Sequence, residues 1–274
     1  MTKSDLQSSY ALGYTDSEHQ RLIRQAAMLA PLTESFFRDS GIGPGHRILD
    51  LGSGMGDVAM VAARLVGSSG EVVGIERDPN STAVAAARAA EAGFHNVSFT
   101  QTDASQITCH KPFDAAVGRF ILQFLPDPAA VLRSLAKLLR PGGVVAFLEP
   151  QWSPYLDLLR PFPLSFACAS VACEAFHRSG VRTDLGLDLH GTFQRAGLPA
   201  PTMQLRMALG ADRNFAAYIG DLLYSLLPKA REHGISLEKL GGLDTLSTRI
   251  LAEVAAANTV VPIIALVGAC SRIA

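Results

Sequence analysis

The sequence predicts an α/β fold, a doubly wound and mostly parallel sheet with helices on both faces. Three observations lead there. Residues 47–150 alternate strand-like and helix-like runs. Within them RILDLGSGMGD, residues 47–57, carries the end of a buried strand through a glycine turn into a helix N-terminus. The chain has 274 residues, 48% apolar and 18% charged, so it can bury a large core and is globular, not disordered.

In order along the chain, Asp16 or Ser17 is placed to cap a helix over 18–30, with Leu22, Ala26 and Leu29 on its inward face. Pro31 is expected to interrupt it, and a second helix over 32–39 stops at the glycine-rich 41–45. Strands are expected at 48–51, 71–76, 96–100, 113–118 and 144–148. Between them run helices over 58–65, over the alanine-rich 81–92 with Gly93 as its stop, and over 128–139 before Pro141-Gly142-Gly143. After Pro150 the alternation loosens. Residues 152–182 read as one or two apolar helices, 185–196 as a helix ended by Gly197, and 202–209 as a sixth strand. Helices over 215–230 and 245–257 precede a last strand at 260–271, where Pro262 suits an edge.

The turn has a physical reading of its own. Gly52, Gly54 and Gly56 let backbone approach a ligand closely, because glycine has no Cβ to hold it off. The spacing is G-x-G-x-G; the third glycine of a dinucleotide fingerprint would stand at 57, which is Asp57. Asp50 and Asp57 would repel a diphosphate at this helix start but would accept hydrogen bonds from an ammonium group. An amino-acid-bearing nucleoside therefore fits better than NAD. Glu76 follows Gly56 by the length of one helix and one strand, which returns its carboxylate to the same sheet edge. There it either receives two ribose hydroxyls or pairs with Arg77 on the surface.

Four pieces in this order resemble the class I S-adenosylmethionine-dependent methyltransferases, in particular the small-molecule bacterial type. LDLGSGMG, with Asp50, Gly52, Ser53, Gly54 and Gly56, matches the loop that holds the methionine part. VVGIERDP ends with Glu76 where the family keeps an acid for the ribose, and Arg77 beside it would lay its stem against the adenine. VSFTQTDA puts Asp103 and Ala104 at the adenine position. FDAAVGRFILQFLPDP and LLRPGGVVAFLEP match the fourth and fifth strands, with Gly118 and Arg119 leaving the fourth at the same edge. Arg119 there either pairs with a carboxylate or is structural. The resemblance covers about residues 40–150. It implies a seven-stranded, mostly parallel, Rossmann-like methyltransferase sheet with helical lid insertions, and S-adenosyl-L-methionine as cofactor. The head segment YALGYTDSEHQRLIRQA resembles one that lies over the cofactor mouth in a subset of these enzymes. Tyr10 and Tyr14 then either form a lid or pack on the domain, and Gln25 stands where it would reach the methionine end.

The expected organisation is one methyltransferase domain over 1–274: a helical lid at 1–46, the cofactor-binding core at 47–150, and acceptor-binding helices with the last two strands at 151–274. Trp152, Tyr155, Phe162, Phe166, Phe176, Tyr218 and Tyr224 make the last part apolar, as a small-molecule pocket or as core. In-line methyl transfer needs alignment and water exclusion more than acid–base work. Should an oxygen or nitrogen acceptor need a base, Glu149, His177 and His190 are the candidates.

Charge and cysteine usage bound the partners. A net charge of −1 argues against general nucleic-acid binding. GRFI stands after the fourth strand in place of the D/N-P-P-Y motif of amino-methylating enzymes. The four cysteines and seven histidines show no metal-ligand spacing, so no metal is expected. MTKSDLQSSY lacks the apolar core of a signal peptide, and the apolar run 259–270 is too short to span a bilayer. These features predict a cytoplasmic protein with reduced thiols, acting on a small-molecule acceptor without a membrane partner, with homo-oligomers left open. The expected activity is methyl transfer to a carbon or oxygen atom of a small, secondary-metabolism-type organic molecule. The alternatives are a non-methylating user of the same cofactor, such as a cyclase, a methyltransferase of a macromolecule, and an NAD-dependent oxidoreductase.

Overall fold

The computed structural model describes residues 16–103, 107 and 111–274. Within them the chain forms two compact units. The first gathers residues up to Gln25, Pro150–Asp184 and Met207–Leu266; the second gathers Ala26–Glu149, Leu185–Arg206 and Val267–Ala274.

The second unit holds a seven-stranded sheet in the order β3-β2-β1-β4-β5-β9-β6. Its strands are β1 (Arg47–Leu51), β2 (Glu71–Glu76), β3 (Val97–Gln101), β4 (Phe113–Arg119), β5 (Leu139–Gln151), β6 (Thr202–Arg206) and β9 (Ala265–Arg272). The pairs β1–β2, β2–β3, β1–β4 and β4–β5 are parallel, with Asp50 opposite Gly74 on one side and Val117 on the other. The sheet order runs outward from β1 in both directions, to β2 and to β4. That is the topological switch point, where a crevice opens beyond the carboxyl ends of the strands. Between the strands lie α2 (Asp57–Val66), α3 (Pro79–Glu91), α4 (Pro128–Ala136) and α7 (Leu185–Arg195). Asp78 and Asp127 cap α3 and α4 by accepting the amides of Ser81 and Ala130. Leu49, Phe113, Leu132, Leu135, Phe147, Leu189 and Phe193 form one apolar cluster in this unit. Each such side chain, fully buried, stabilises the fold by about 1.5–3 kcal/mol.

The first unit is mainly helical: α5 (Trp152–Leu159), α6 (Pro163–Arg178), α8 (Arg213–Glu232) and α9 (Leu246–Ala257). Its helix starts are capped from far along the chain. Asp184 accepts the amide and hydroxyl of Ser153, and Glu253 accepts the amides of Leu164 and Ser165. Trp152 meets Tyr155 and Phe176 edge-on, with centroids 5.8 and 5.9 Å apart.

Three expectations are corrected. Pro31 does not divide the N-terminal helix; α1 runs unbroken over Asp16–Asp39. An internal proline costs about 3 kcal/mol, but Leu29 before it and Phe36 and Phe37 after it are all buried along the one helix. Three such side chains outweigh that cost. The sixth strand ends at Arg206, and Leu209–Gly210 forms a separate short strand, β7. The last strand is likewise broken: β8 (Val261–Pro262) pairs antiparallel with β7, and β9 begins at Ala265. Pro262 has no N–H for a central ladder, so it sits in this two-stranded edge pair. The predicted caps Asp16 and Ser17 have side chains outside the described ones, and Tyr10, Tyr14 and Ala104 lie outside the described residues.

Candidate functional site

The carboxyl end of β1 delivers the glycine turn. Its shape is fixed by the Ser53 amide donating to the Ile75 carbonyl at 2.9 Å and the Gly56 amide to the Ser53 carbonyl at 2.8 Å. The three glycines differ in what lies beside them. A Cβ on Gly52 would stand 2.5 Å from Cδ1 of Ile121, and one on Gly56 2.9 Å from Phe99. A Cβ on Gly54 would meet nothing within 4 Å. Gly54 has φ +50, a left-handed backbone that disfavours any side chain. Its open side is the face of the loop where a ligand's atoms would come against backbone.

Glu76 closes on this loop. Its Oε2 accepts the Gly54 amide at 3.0 Å, and its Oε1 accepts the amides of Arg77 and Asp78 at 2.7 and 3.1 Å. The two amides occupy Oε1, while Oε2 has a second lone pair left for a hydroxyl donor. Arg77 and Asp103 stand beside it, 4.0 Å apart and about half exposed. An ion pair that open contributes little to stability.

Asp50 is the unusual member. It is 1% exposed, and neither carboxylate oxygen has a hydrogen-bond partner among the described residues; buried Ser53 Oγ has none either. Burial pushes the Asp50 carboxyl well above the usual carboxylate range. The Arg119 charge pulls it down, as does the Ala59 backbone amide, which lies nearby but outside hydrogen-bond geometry, while Glu76 and Asp57 add to the rise. Asp57, expected beside Asp50 as an acceptor for an ammonium group, is instead tied to Arg88 at 2.7 Å, and Arg88 also donates to the Met55 carbonyl. Arg119 Nη1 donates to Thr33 Oγ1 at 2.7 Å. Gly118 carries no Cβ because Phe147 on β5 fills that space, 2.6 Å from where it would be.

The second unit thus brings together Asp50, Gly52, Ser53, Gly54, Gly56, Glu76, Arg77, Asp103, Gly118 and Arg119 at the carboxyl ends of β1 to β4. Gln25 lies in the first unit, where its Oε1 accepts from Arg21, itself paired with Glu18. His177 and His190 are exposed on α6 and α7. Glu149 is fully buried, with its oxygens on the amides of Ile121, Leu122 and Gln123. Sequence reasoning passed over that clamp and over Ile121, because a carboxylate bonded to backbone twenty-odd residues away leaves no local pattern. Of the aromatics after Pro150, Trp152, Tyr155, Phe162, Phe176 and Tyr218 are buried within the first unit, and Tyr224 is partly exposed with its hydroxyl on the Leu243 carbonyl. Among the described residues no group of His, Cys, Asp and Glu is arranged to hold a metal, and no helix is long and apolar enough to cross a membrane.

A seven-stranded, mostly parallel sheet with an open glycine loop at its switch point defines the class I S-adenosylmethionine-dependent methyltransferase fold. A family described as a methyltransferase domain matches residues 42–179, just over half of the chain. The chain belongs to this methyltransferase family. Among its relatives, the 2-phytyl-1,4-naphthoquinone methyltransferase of Synechococcus elongatus is 39% identical over 121 residues, 43% of this chain and 52% of that protein. The ubiquinone/menaquinone biosynthesis C-methyltransferase of Cellvibrio japonicus is 36% identical over 122 residues, 44% of this chain and 49% of that protein. The chain spans about half the length of these curated relatives. A solved structure described as a methyltransferase from Bacillus halodurans C-125 shares the fold with a TM-score of 0.57 at 17% identity, covering 88% of this chain and 97% of that one.

Proposed function

We propose that this protein binds S-adenosyl-L-methionine at the glycine loop and transfers its methyl group to a carbon or oxygen atom of a small organic metabolite. The observation that carries the reading is the buried Asp50 carboxylate without a partner, beside the open face of Gly54 and the unbonded Ser53 hydroxyl. An ammonium group satisfies that carboxylate, and a diphosphate would be repelled by it. The donor set fits the rest of the nucleoside: Glu76 Oε2 retains acceptor capacity for a ribose hydroxyl, and Arg77 and Asp103 flank the position expected for the base.

When bound, the cofactor supplies an electrophilic methyl on a positively charged sulfur. The chain supplies the placement. Gly54 admits the ligand against backbone, Asp50 and Ser53 receive its amino-acid end, and Glu76 fixes its sugar. Orientation of this kind can supply about 7–11 kcal/mol of the barrier in a well-aligned displacement. The quinone-biosynthesis activities named for the two relatives support a small organic acceptor. The balanced charge of the chain supports it too, since nothing in the composition favours a polyanion. A cytoplasmic site of action is part of the same proposal.

The test is calorimetric titration of the purified protein with S-adenosylhomocysteine, followed by assay of its release from S-adenosylmethionine with a panel of quinones, phenols and polyketides. Binding followed by acceptor-dependent release is expected. Absence of binding overturns the cofactor assignment. Tight binding with product formation but no release would replace methyl transfer by a cofactor-assisted reaction such as cyclisation.

A further inference from the structure

Glu149 is a buried charge to which the proposed chemistry gives no part. We infer that it is a positioning residue for the glycine loop and acts through Ile121; the inference rests on the loop being the cofactor site. Its Oε1 accepts the amides of Ile121 and Leu122 at 3.0 and 2.9 Å, and its Oε2 accepts that of Gln123 at 3.3 Å. These amides open the short helical turn Leu122–Phe124, whose first N–H groups have no partner of their own within the turn. Charge-assisted bonds to three successive amides fix this backbone firmly.

The segment held in this way needs holding. Phe120, one residue earlier, has φ +58, a left-handed conformation rare for an aromatic residue. Its amide donates to the Leu148 carbonyl at 3.0 Å, so the chain is pinned on both sides of the bend. The bend turns the Ile121 side chain onto two glycines. Its Cδ1 and Cγ1 stand 2.5 and 2.6 Å from where a Cβ of Gly52 would be, and its Cγ2 2.9 Å from that of Gly118. Ile121 thus covers the first glycine of the loop, and the residues that follow, Ser53 and Gly54, carry the open face. A carboxylate at the end of β5 sets the height of a turn at the end of β1 through one isoleucine. The same three amides hold both oxygens in place, which removes Glu149 from service as a base that must turn toward an acceptor.

The test is titration of the full chain with S-adenosylhomocysteine, comparing wild type, Glu149→Gln, Ile121→Ala and the double variant, each confirmed as folded at the titration temperature. Glu149→Gln is expected to weaken binding roughly tenfold, as for lost bonds to a charged group, and Ile121→Ala by a similar factor because it removes the contact through which Glu149 acts. The double variant is expected to bind no more weakly than the weaker single one, because both changes release the same contact. A purely structural role for Glu149 would lower the melting temperature and leave the affinity of the folded protein unchanged; that result overturns the inference, as do losses that multiply in the double variant. If Glu149→Gln does not fold, Ile121→Ala decides alone, and wild-type affinity in that variant overturns the inference. A wild type that fails to bind overturns the cofactor assignment itself, and is told apart by that control.

Discussion

Replacing Gly54 by alanine separates the site from the core more sharply than any other change. Gly54 has φ +50, and a non-glycine residue in that region costs about 1–2 kcal/mol. No atom lies within 4 Å of the added Cβ, so there is no packing cost in the free protein. The stability loss should therefore stop at about 1–2 kcal/mol, with a fall in Tm of roughly 2–4 °C for each kcal/mol in a chain of this size. Binding suffers differently, because the methyl group projects into the space the ligand would fill. Overfilling a packed space costs about 1–3 kcal/mol, or roughly 5- to 150-fold in Kd, and Gly54→Val should remove binding altogether. Gly52→Ala is the matched control. It carries the same backbone cost at φ +64, and its Cβ would stand 2.5 Å from Ile121, so destabilisation of about 2–5 kcal/mol is expected. The assays are thermal unfolding without ligand and titration with S-adenosylhomocysteine. A Gly54→Val protein that binds S-adenosylhomocysteine as tightly as wild type would refute the assignment of the loop.

Two further outcomes are expected. Glu76→Ala should weaken S-adenosylhomocysteine binding by about 1–3 kcal/mol, since it removes a charged acceptor and frees the Gly54 amide it holds; unchanged affinity would place the sugar elsewhere. The Asp50 carboxyl, held by burial above its ordinary range in the free protein, should ionise when an ammonium group binds against it, so a proton is released. Affinity should then rise with pH from the ordinary aspartate range up to the raised value and level off above it. Stability of the free protein should run the other way over that window, because folding favours the protonated form. Calorimetry in buffers of different ionisation enthalpy reads the proton directly, and an Asp50→Asn protein with the same pH slope would count against this account.

The second unit was legible in the sequence because its signals are local. A strand ending in Asp50-Leu51, a run of glycines and an amphipathic helix occupy one short stretch, and Glu76 lies at the spacing that one helix and one strand dictate. What local patterns miss is competition from distant packing. Pro31 reads as a break, and yet α1 continues through it because Phe36 and Phe37 are buried further along. The run after Thr259 reads as one strand, and yet it splits where Ile263 turns its amide to the Ala208 carbonyl. Asp57 looked like a second acceptor until Arg88, on the next helix, came to stand against it. For Ile263 and Asp57 the deciding partner is remote in sequence, and nothing near the residue announces it.

The three acids around the loop have unequal fates, and the inequality points to the ligand. Glu76 is bonded to three amides and Asp57 to a guanidinium, so the protein itself gives both a partner. Asp50 is the deepest of the three, and it is the one left without a hydrogen bond, although leaving a buried acceptor unpaired costs about 1–3 kcal/mol. Nearby Arg119 directs a guanidinium N–H to Thr33 while acting on Asp50 only through its field. With Asp50 ionised, as in the bound state, Asp50, Glu76 and Asp57 against Arg88 and Arg119 leave one negative charge, three less two. A cation completes that sum and a diphosphate worsens it. The unpaired carboxylate is then a cost held in the free protein and relieved on binding, which ties the affinity of the site to a buried acid whose hydrogen bonds folding alone does not supply.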